Sequence, residues 1–116
     1  MATWEDVTRN GLALPEAEET TSYRTPALKV KGKLFARLRS EDDGGVMLAC
    51  SLEAREAYLQ SGEPAFYTTP HYDRYGAILI HLDRIDDDLL RELVEEAWWY
   101  RATATLRKQW DASNPR

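Results

Sequence analysis

The chain contains a single cysteine, Cys50, which rules out an internal disulfide and with it the disulfide framework of small secreted modules. Histidine is nearly as scarce. His71 and His81 stand ten positions apart, and neither is spaced from Cys50 as a metal site requires. The six glycines form neither a phosphate-cradling loop nor a Gly-x-Ser-x-Gly elbow. No apolar run approaches the roughly 20 residues of a membrane span, and the first residues lack a basic-then-apolar leader. These absences lead to the expectation of a cytoplasmic, monomeric protein that is not an enzyme, with no cofactor, no metal centre and no membrane contact. At 116 residues the whole chain, 1–116, is expected to fold as one domain.

What is present is charge, unevenly placed. The net charge is −5, which argues against a protein that coats nucleic acid generically. Yet residues 24–39 carry six basic side chains and no acidic one: Arg24, Lys29, Lys31, Lys33, Arg37 and Arg39. Leu28, Leu34, Ala36 and Leu38 occupy even positions, while Lys29, Lys33, Arg37 and Arg39 are odd. Such alternation predicts a half-buried β-hairpin with an aliphatic back and a cationic front that also carries Phe35. Gly32 supplies its turn. A two-residue Lys31–Gly32 loop would set Leu28 opposite Phe35 and scramble the faces. The register expected is therefore a three-residue loop, Val30 to Gly32, pairing Lys29 with Lys33. The plain alternative is that these cations only keep an open sheet face soluble and protect its edges.

Along the chain, Thr3 caps a first helix with Glu5 and Asp6 in its first turn, and Trp4, Val7, Gly11 and Leu14 form its buried stripe before Pro15. Residues 16–21 read as a polar connector. After the hairpin, residues 40–45 are a turn and Val46 to Ala49 a short strand. Ser51 caps a helix from Leu52 to Gln60 that ends at Gly62 and Pro64. Ala65 to Tyr67 and Ala77 to Leu82 are strands around a loop, Thr69 to Gly76. Asp86, Asp87 and Asp88 open the longest helix at its positive end; Leu89, Leu90, Leu93, Val94, Ala97 and Trp98 line its apolar stripe. Trp99 lies off that stripe, against a short C-terminal helix from Thr103 to Trp110. The order α-β(3)-α-β(2)-α with a C-terminal short helix implies an α+β, two-layer fold, an antiparallel sheet of about five strands with helices on one face.

Several blocks together resemble one family. Trp4-Glu5-Asp6-Val7, Leu14-Pro15-Glu16, Thr25-Pro26-Ala27-Leu28-Lys29-Val30-Lys31-Gly32-Lys33-Leu34-Phe35-Ala36, Thr69-Pro70-His71-Tyr72 and Glu96-Ala97-Trp98 are similar, in order and separation, to the MmcQ/YjbR family of small bacterial proteins. The resemblance implies an α-β(3)-α-β(2)-α fold, related in shape to frataxin-like and secretion-chaperone-like domains. Members are commonly labelled DNA-binding. The tail departs from the pattern: where the family tends to read Ala-Pro-Lys-Arg-Leu, this chain reads Ala102-Thr103-Ala104-Thr105-Leu106, followed by Arg107 and Lys108.

Two candidate sites follow. Nucleic acid asks for cations along a surface with aromatics beside them, which Arg24, Lys29, Lys31, Lys33, Arg37, Arg39 and Arg74 with Phe35 would provide. Contact with duplex DNA would then be to the backbone, without sequence reading. The alternative is a protein-interaction or small-ligand module built on the loop that holds Thr69, His71, Tyr72 and Tyr75. A metal-attracting ridge of Glu16, Glu18, Glu19, Asp42 and Asp43 ranks below both, as fold analogy is a weak guide to function. Cys50 is expected to be a small buried residue of low reactivity.

Overall fold

A computed structural model describes residues 2–22, 24–39, 45–72 and 74–114. Helix α1 (Trp4–Leu12) begins at Thr3, whose backbone N–H donates to the Asp6 carboxylate at 2.9 Å. That bond, and next the Arg9 guanidinium, hold the Asp6 carboxyl below its usual value. Val7 and Gly11 are the buried face of α1.

The first departure from the expected order follows directly. Most of the polar connector expected over 16–21 instead forms strand β1 (Ala17–Ser22), which pairs antiparallel with β2 (Thr25–Val30) from Ala17↔Val30 to Ser22↔Thr25. It is an edge strand with only half-buried and exposed positions. Charged, polar residues suit an edge because they discourage pairing with another chain, and they erase the apolar signal of a strand.

The second departure is the hairpin register. Strand β3 (Lys33–Leu38) joins β2 through a two-residue turn in which Lys31 (φ 49°) and Gly32 (φ 80°) both take the left-handed region. Val30 pairs with Lys33 and Lys29 with Leu34, so the expected Lys29–Lys33 pair is absent. The register then shifts, and Leu28 pairs with Ala36, leaving Phe35 as the extra residue of a β-bulge. A turn with two positive φ values matches the natural strand twist, and the bulge repairs the faces behind it. Leu34 consequently lies opposite Lys29 rather than beside Leu28. Phe35, expected on the cationic front, is fully buried in the main core.

Strands β4 (Gly45–Ala49), β5 (Phe66–Tyr67) and β6 (Ala77–His81) complete an antiparallel sheet of six strands in the order β1-β2-β3-β4-β6-β5, one strand more than expected. Helix α2 (Leu52–Gln60) starts where the Ser51 hydroxyl accepts from the Ala54 N–H at 3.0 Å. Helix α3 (Asp87–Arg101) starts where the Asp86 carboxylate accepts from Asp88 and Leu89. Helices α1 and α3 pack together against the middle strands, and α2 packs against β5 and β6. The fold is α+β with helices on one sheet face. Val7, Leu28, Phe35, Leu48, Ile78, Ile80, Leu90 and Trp98 are its fully buried centre. Trp98 also donates to the Pro15 carbonyl at 2.9 Å, tying α3 to the chain leaving α1. Helix α4 (Ala104–Ser113) closes the end: Trp99 donates to Asp111 at 3.0 Å, and the Arg107 guanidinium lies 4.6 Å from the Trp99 ring centre. Among the described residues, no helix is long and apolar enough to cross a membrane. The turn expected over 40–45 lies, but for Gly45, outside the described residues.

Candidate functional site

The sheet face away from the helices carries a cross-strand row of Thr20, Ala27, Arg37, Met47, Leu79 and Tyr67. Residues that alternate with core positions supply it, because successive side chains in a strand point to opposite faces. Met47, Tyr72, Ala77 and Leu79 form a second apolar cluster here, with Leu34 and Tyr67 packed against it. The face is therefore not open along its whole length: the loop from Thr69 to Gly76 folds across part of it.

That loop is held from within and from below. Pro70–Tyr72 make a 3-10 turn in which Tyr72 N–H donates to the Thr69 carbonyl at 2.9 Å, and Tyr75 N–H donates to the Tyr72 carbonyl at 3.0 Å. At its end, the Gly76 carbonyl accepts from Cys50 N–H at 3.0 Å. A Cβ on Gly76 would come within 2.9 Å of the Cys50 carbonyl oxygen, so this close approach of two backbones needs glycine. Tyr72 turns back onto the sheet and is only 5 % exposed, while Tyr75 is 51 % exposed.

Arg37 donates to the Tyr72 hydroxyl, bridging hairpin and loop, and reaches the Thr25 hydroxyl at 3.5 Å. Arg39 donates to the Tyr67 hydroxyl at 3.2 Å and lies 5.4 Å from the Tyr72 ring centre. Tyr67 in turn stacks on His81 with ring centres 3.9 Å apart. Between hairpin and loop is a hollow of about 380 Å³, lined by Leu34, Arg37, Met47, His71, Tyr72 and Tyr75. The two candidate sites read from the sequence thus meet in one place.

The six hairpin cations do not. Lys29, Arg37 and Arg39 belong to the loop-bearing face. Lys29, however, pairs across the strands with Glu18, and Lys31, at the turn, lies 3.8 Å from Glu16. Lys33 shares its face with Val30, on the helix side, where it is exposed at the rim. Arg24 sits in the β1–β2 turn at φ 66° and Arg74 in the loop at φ 62°, both exposed. Phe35 is interior and offers no surface for a base to stack on. Met47, Tyr67 and His81 carry no mark of the site in the sequence beyond their alternation with core residues, and Leu34 carries none, because the alternation of the hairpin sets it on the aliphatic back and only the bulge at Phe35 moves it to this face.

Chemistry elsewhere is quiet. Cys50 is buried, and desolvation pushes its thiol up to about 11, with the Arg55 charge pulling the other way. At pH 7 this lowers the thiolate fraction about 100-fold relative to an exposed thiol of pKa 9. Labelling of the native protein by a thiol reagent is therefore expected to be slow at neutral pH and to accelerate until the pH approaches 11. Labelling at the rate of a free thiol near pH 7 would show that the burial is not kept in solution. Arg55 itself is buried and donates to the Thr68 hydroxyl at 2.7 Å and to Glu56 at 3.1 Å, fixing α2 to the start of the loop. Among the described residues, no three His, Cys, Asp or Glu side chains gather as a metal-binding group. Asp42 and Asp43 of the acidic ridge lie outside them.

With this geometry in view, the relatives fall into place. A protein named Uncharacterized protein Rv2570, from Mycobacterium tuberculosis (strain ATCC 25618 / H37Rv), is 35% identical over 91% of this chain and 93% of its own length. Uncharacterized protein Mb2600 of Mycobacterium bovis matches to the same extent. The crystal structure of Deinococcus radiodurans protein DR2400, with a DUF419 domain, shares the fold at a TM-score of 0.75 and 22% identity, covering 94% of this chain and 88% of that one. A model of the YjbR family matches residues 12–100, which include the hairpin, the loop and the strands beneath them. By its sequence, the chain belongs to the MmcQ/YjbR family.

Proposed function

We propose that this chain is a binding module without catalysis of its own, and that it takes a small planar anion in the hollow between hairpin and loop. The observation that carries this reading is the hollow itself: an apolar floor of Leu34 and Met47, tyrosine walls, and the Arg37 guanidinium as its charged group. Its volume falls in the range of roughly 300–1,000 Å³ usual for small-molecule sites, and its mix of apolar lining with few polar groups is also theirs. A planar ligand would stack on Tyr75 while its anionic end meets Arg37. The proposed setting is the cytoplasm, with the protein a monomer, in line with its lone cysteine.

The test uses a chance of composition. The chain has two methionines, Met1 and Met47, so a sample with carbon-13 methionine methyls reports on the floor of the hollow through one resonance. Titration with 2-naphthoate is expected to shift the Met47 methyl saturably. Tyr75→Ala is expected to weaken that binding several-fold, and Lys33→Glu, on the other face, to leave it unchanged. A Met47 methyl that does not respond, or a Tyr75→Ala protein that binds like the wild type, would overturn the reading.

Duplex DNA is the second reading, favoured by one observation: Lys29, Arg37 and Arg39 share the face that carries His71 and Tyr75. Three cations neutralise about three phosphates, so log affinity would fall with log salt at a slope of about −3. Random-sequence duplex at low salt separates the two. Binding with that slope, reduced by Lys29→Glu but not by Tyr75→Ala, would favour DNA.

A further inference from the structure

Strand β1 ends the sheet on one side and β5 on the other. Strand β5 has two residues and offers little to a partner, whereas β1 has six. Which backbone groups β1 presents outward follows from its register. Ser22 pairs with Thr25 across a turn of two residues, and the pair that closes such a turn exchanges both of its backbone hydrogen bonds. Bonding then alternates, so Thr20 and Glu18 also bond inward, to Ala27 and Lys29. The N–H and C=O of Glu19 and Thr21 point the other way, where no further strand lies among the described residues. Ala17, next in that outward series, donates its N–H to the Leu14 carbonyl at 3.3 Å and closes the edge at that end. Beside the open stretch is a hollow of about 440 Å³, lined by Glu19, Thr20, Thr21, Arg24 and Pro26. The carboxylates near it differ in their surroundings. Glu16 lies 3.8 Å from Lys31, and Glu18 stands across the strands from Lys29. Glu19 is exposed and stands across from Leu28, so no cation of β2 opposes it.

We infer that the outer edge of β1 docks an extended basic segment of another protein, added antiparallel as a further strand. Its basic side chains stand opposite Glu19 and Glu18, and an uncharged one stands opposite Thr21. Backbone pairing with Glu19 and Thr21 supplies the affinity, and the carboxylates supply the choice of partner. A second copy of β1 in the same place would crowd two sets of Glu18 and Glu19 along one seam, where like charges repel. The edge thus refuses its own copy and accepts a strand of opposite charge. Arg24, at the turn end of the hollow, helps to set the register, since a cation slipped by two residues toward the turn meets it as a like charge. Strand β2 separates this edge from the hairpin strand that carries Arg37, so the docking site does not depend on the small-ligand reading of that hollow.

The probe is the peptide acetyl-Thr-Val-Thr-Lys-Lys-Val-amide, titrated at low salt and pH 7 into the full chain labelled with nitrogen-15. Its second residue falls opposite Thr21, its fourth opposite Glu19 and its fifth opposite Glu18. The amide protons of Glu19 and Thr21 are expected to shift saturably, and those of Glu18 and Thr20, already bonded to β2, much less. The same peptide with Glu-Glu in place of Lys-Lys is expected to bind about tenfold more weakly. Methylating the peptide's second and fourth backbone nitrogens should abolish binding, because it removes both donors and keeps the charge. Glu19→Gln should narrow the gap between the two charged peptides, and Glu19→Lys should close or reverse it. The position is exposed, so both variants are expected to fold. Equal binding of the two charged peptides would overturn the inference. So would a methylated peptide that binds as well as its parent, or the absence of a saturable shift at Glu19 and Thr21. Shifts of the same two amides that grow with protein concentration alone would also overturn it, since a second copy would then be the occupant.

Discussion

Phe35→Ala is expected to lower the unfolding midpoint by roughly 12–20 °C, the consequence of removing about 3–5 kcal/mol from a domain of this length. Phe35 has no exposed surface and sits in the main core with Leu28 and Ala36. Its loss therefore leaves a cavity under the central strands, beyond the lost transfer free energy. A second cost comes from its place in the register. As the extra residue of the bulge, Phe35 lets Leu28 pair with Ala36 while the turn keeps Val30 opposite Lys33. Without the ring in the core, slippage of the hairpin by one residue is opposed less strongly. Lys33→Ala, two residues away and exposed, is expected to stay within about 0.5 kcal/mol of the wild type. Thermal unfolding of both variants checks this. A Phe35→Ala midpoint within a few degrees of the wild type would mean that the ring is not in the core.

The same residue shows where the sequence stops being readable. Helix α3 is legible because its stripe from Leu89 to Trp98 is wide and Asp86 caps it. Strand β6 is legible from Ile78 to Ile80, and α2 from Ser51. Each of these signals is local. The bulge at Phe35 is not: nothing beside it in sequence marks an extra residue, and its position is fixed by what the core needs on the far side of the sheet. Strand β1 is hidden for a different reason, since an edge strand with Glu18 and Glu19 has no reason to look apolar. The candidate site was legible in halves. Arg37 and Arg39 stood out by charge, and His71, Tyr72 and Tyr75 by the crowding of functional side chains in one loop. Their meeting was not legible, because it depends on the strand order β3-β4-β6, which brings together Arg37 and Tyr72, 35 positions apart. Met47 and Leu34 belong to the site only once that order is known.

Arg37→Met is expected to weaken the binding of 2-naphthoate by roughly 10- to 100-fold, the effect of losing a charge-assisted hydrogen bond of about 1.5–3 kcal/mol. Methionine keeps most of the apolar stem, so the change bears on the charge more than on the shape of the hollow. Arg37 has two roles that a single substitution confounds, since it also donates to the Tyr72 hydroxyl and so helps to hold the loop. Tyr72→Phe separates them: it removes the hydroxyl, keeps the ring packed on Met47 and Leu79, and leaves the guanidinium in the hollow. It is expected to weaken binding by less than about tenfold, as a neutral bond to a partly buried group contributes about 1 kcal/mol. Raising the ionic strength should weaken the wild type and Tyr72→Phe alike and leave Arg37→Met nearly insensitive, because only the first two hold the cation that meets the anion. The Met47 methyl reads all three proteins. If Arg37→Met binds as well as the wild type, the guanidinium is a brace for the loop and not the group that meets the ligand. If Tyr72→Phe falls as far as Arg37→Met, the ordered loop rather than the charge governs the site.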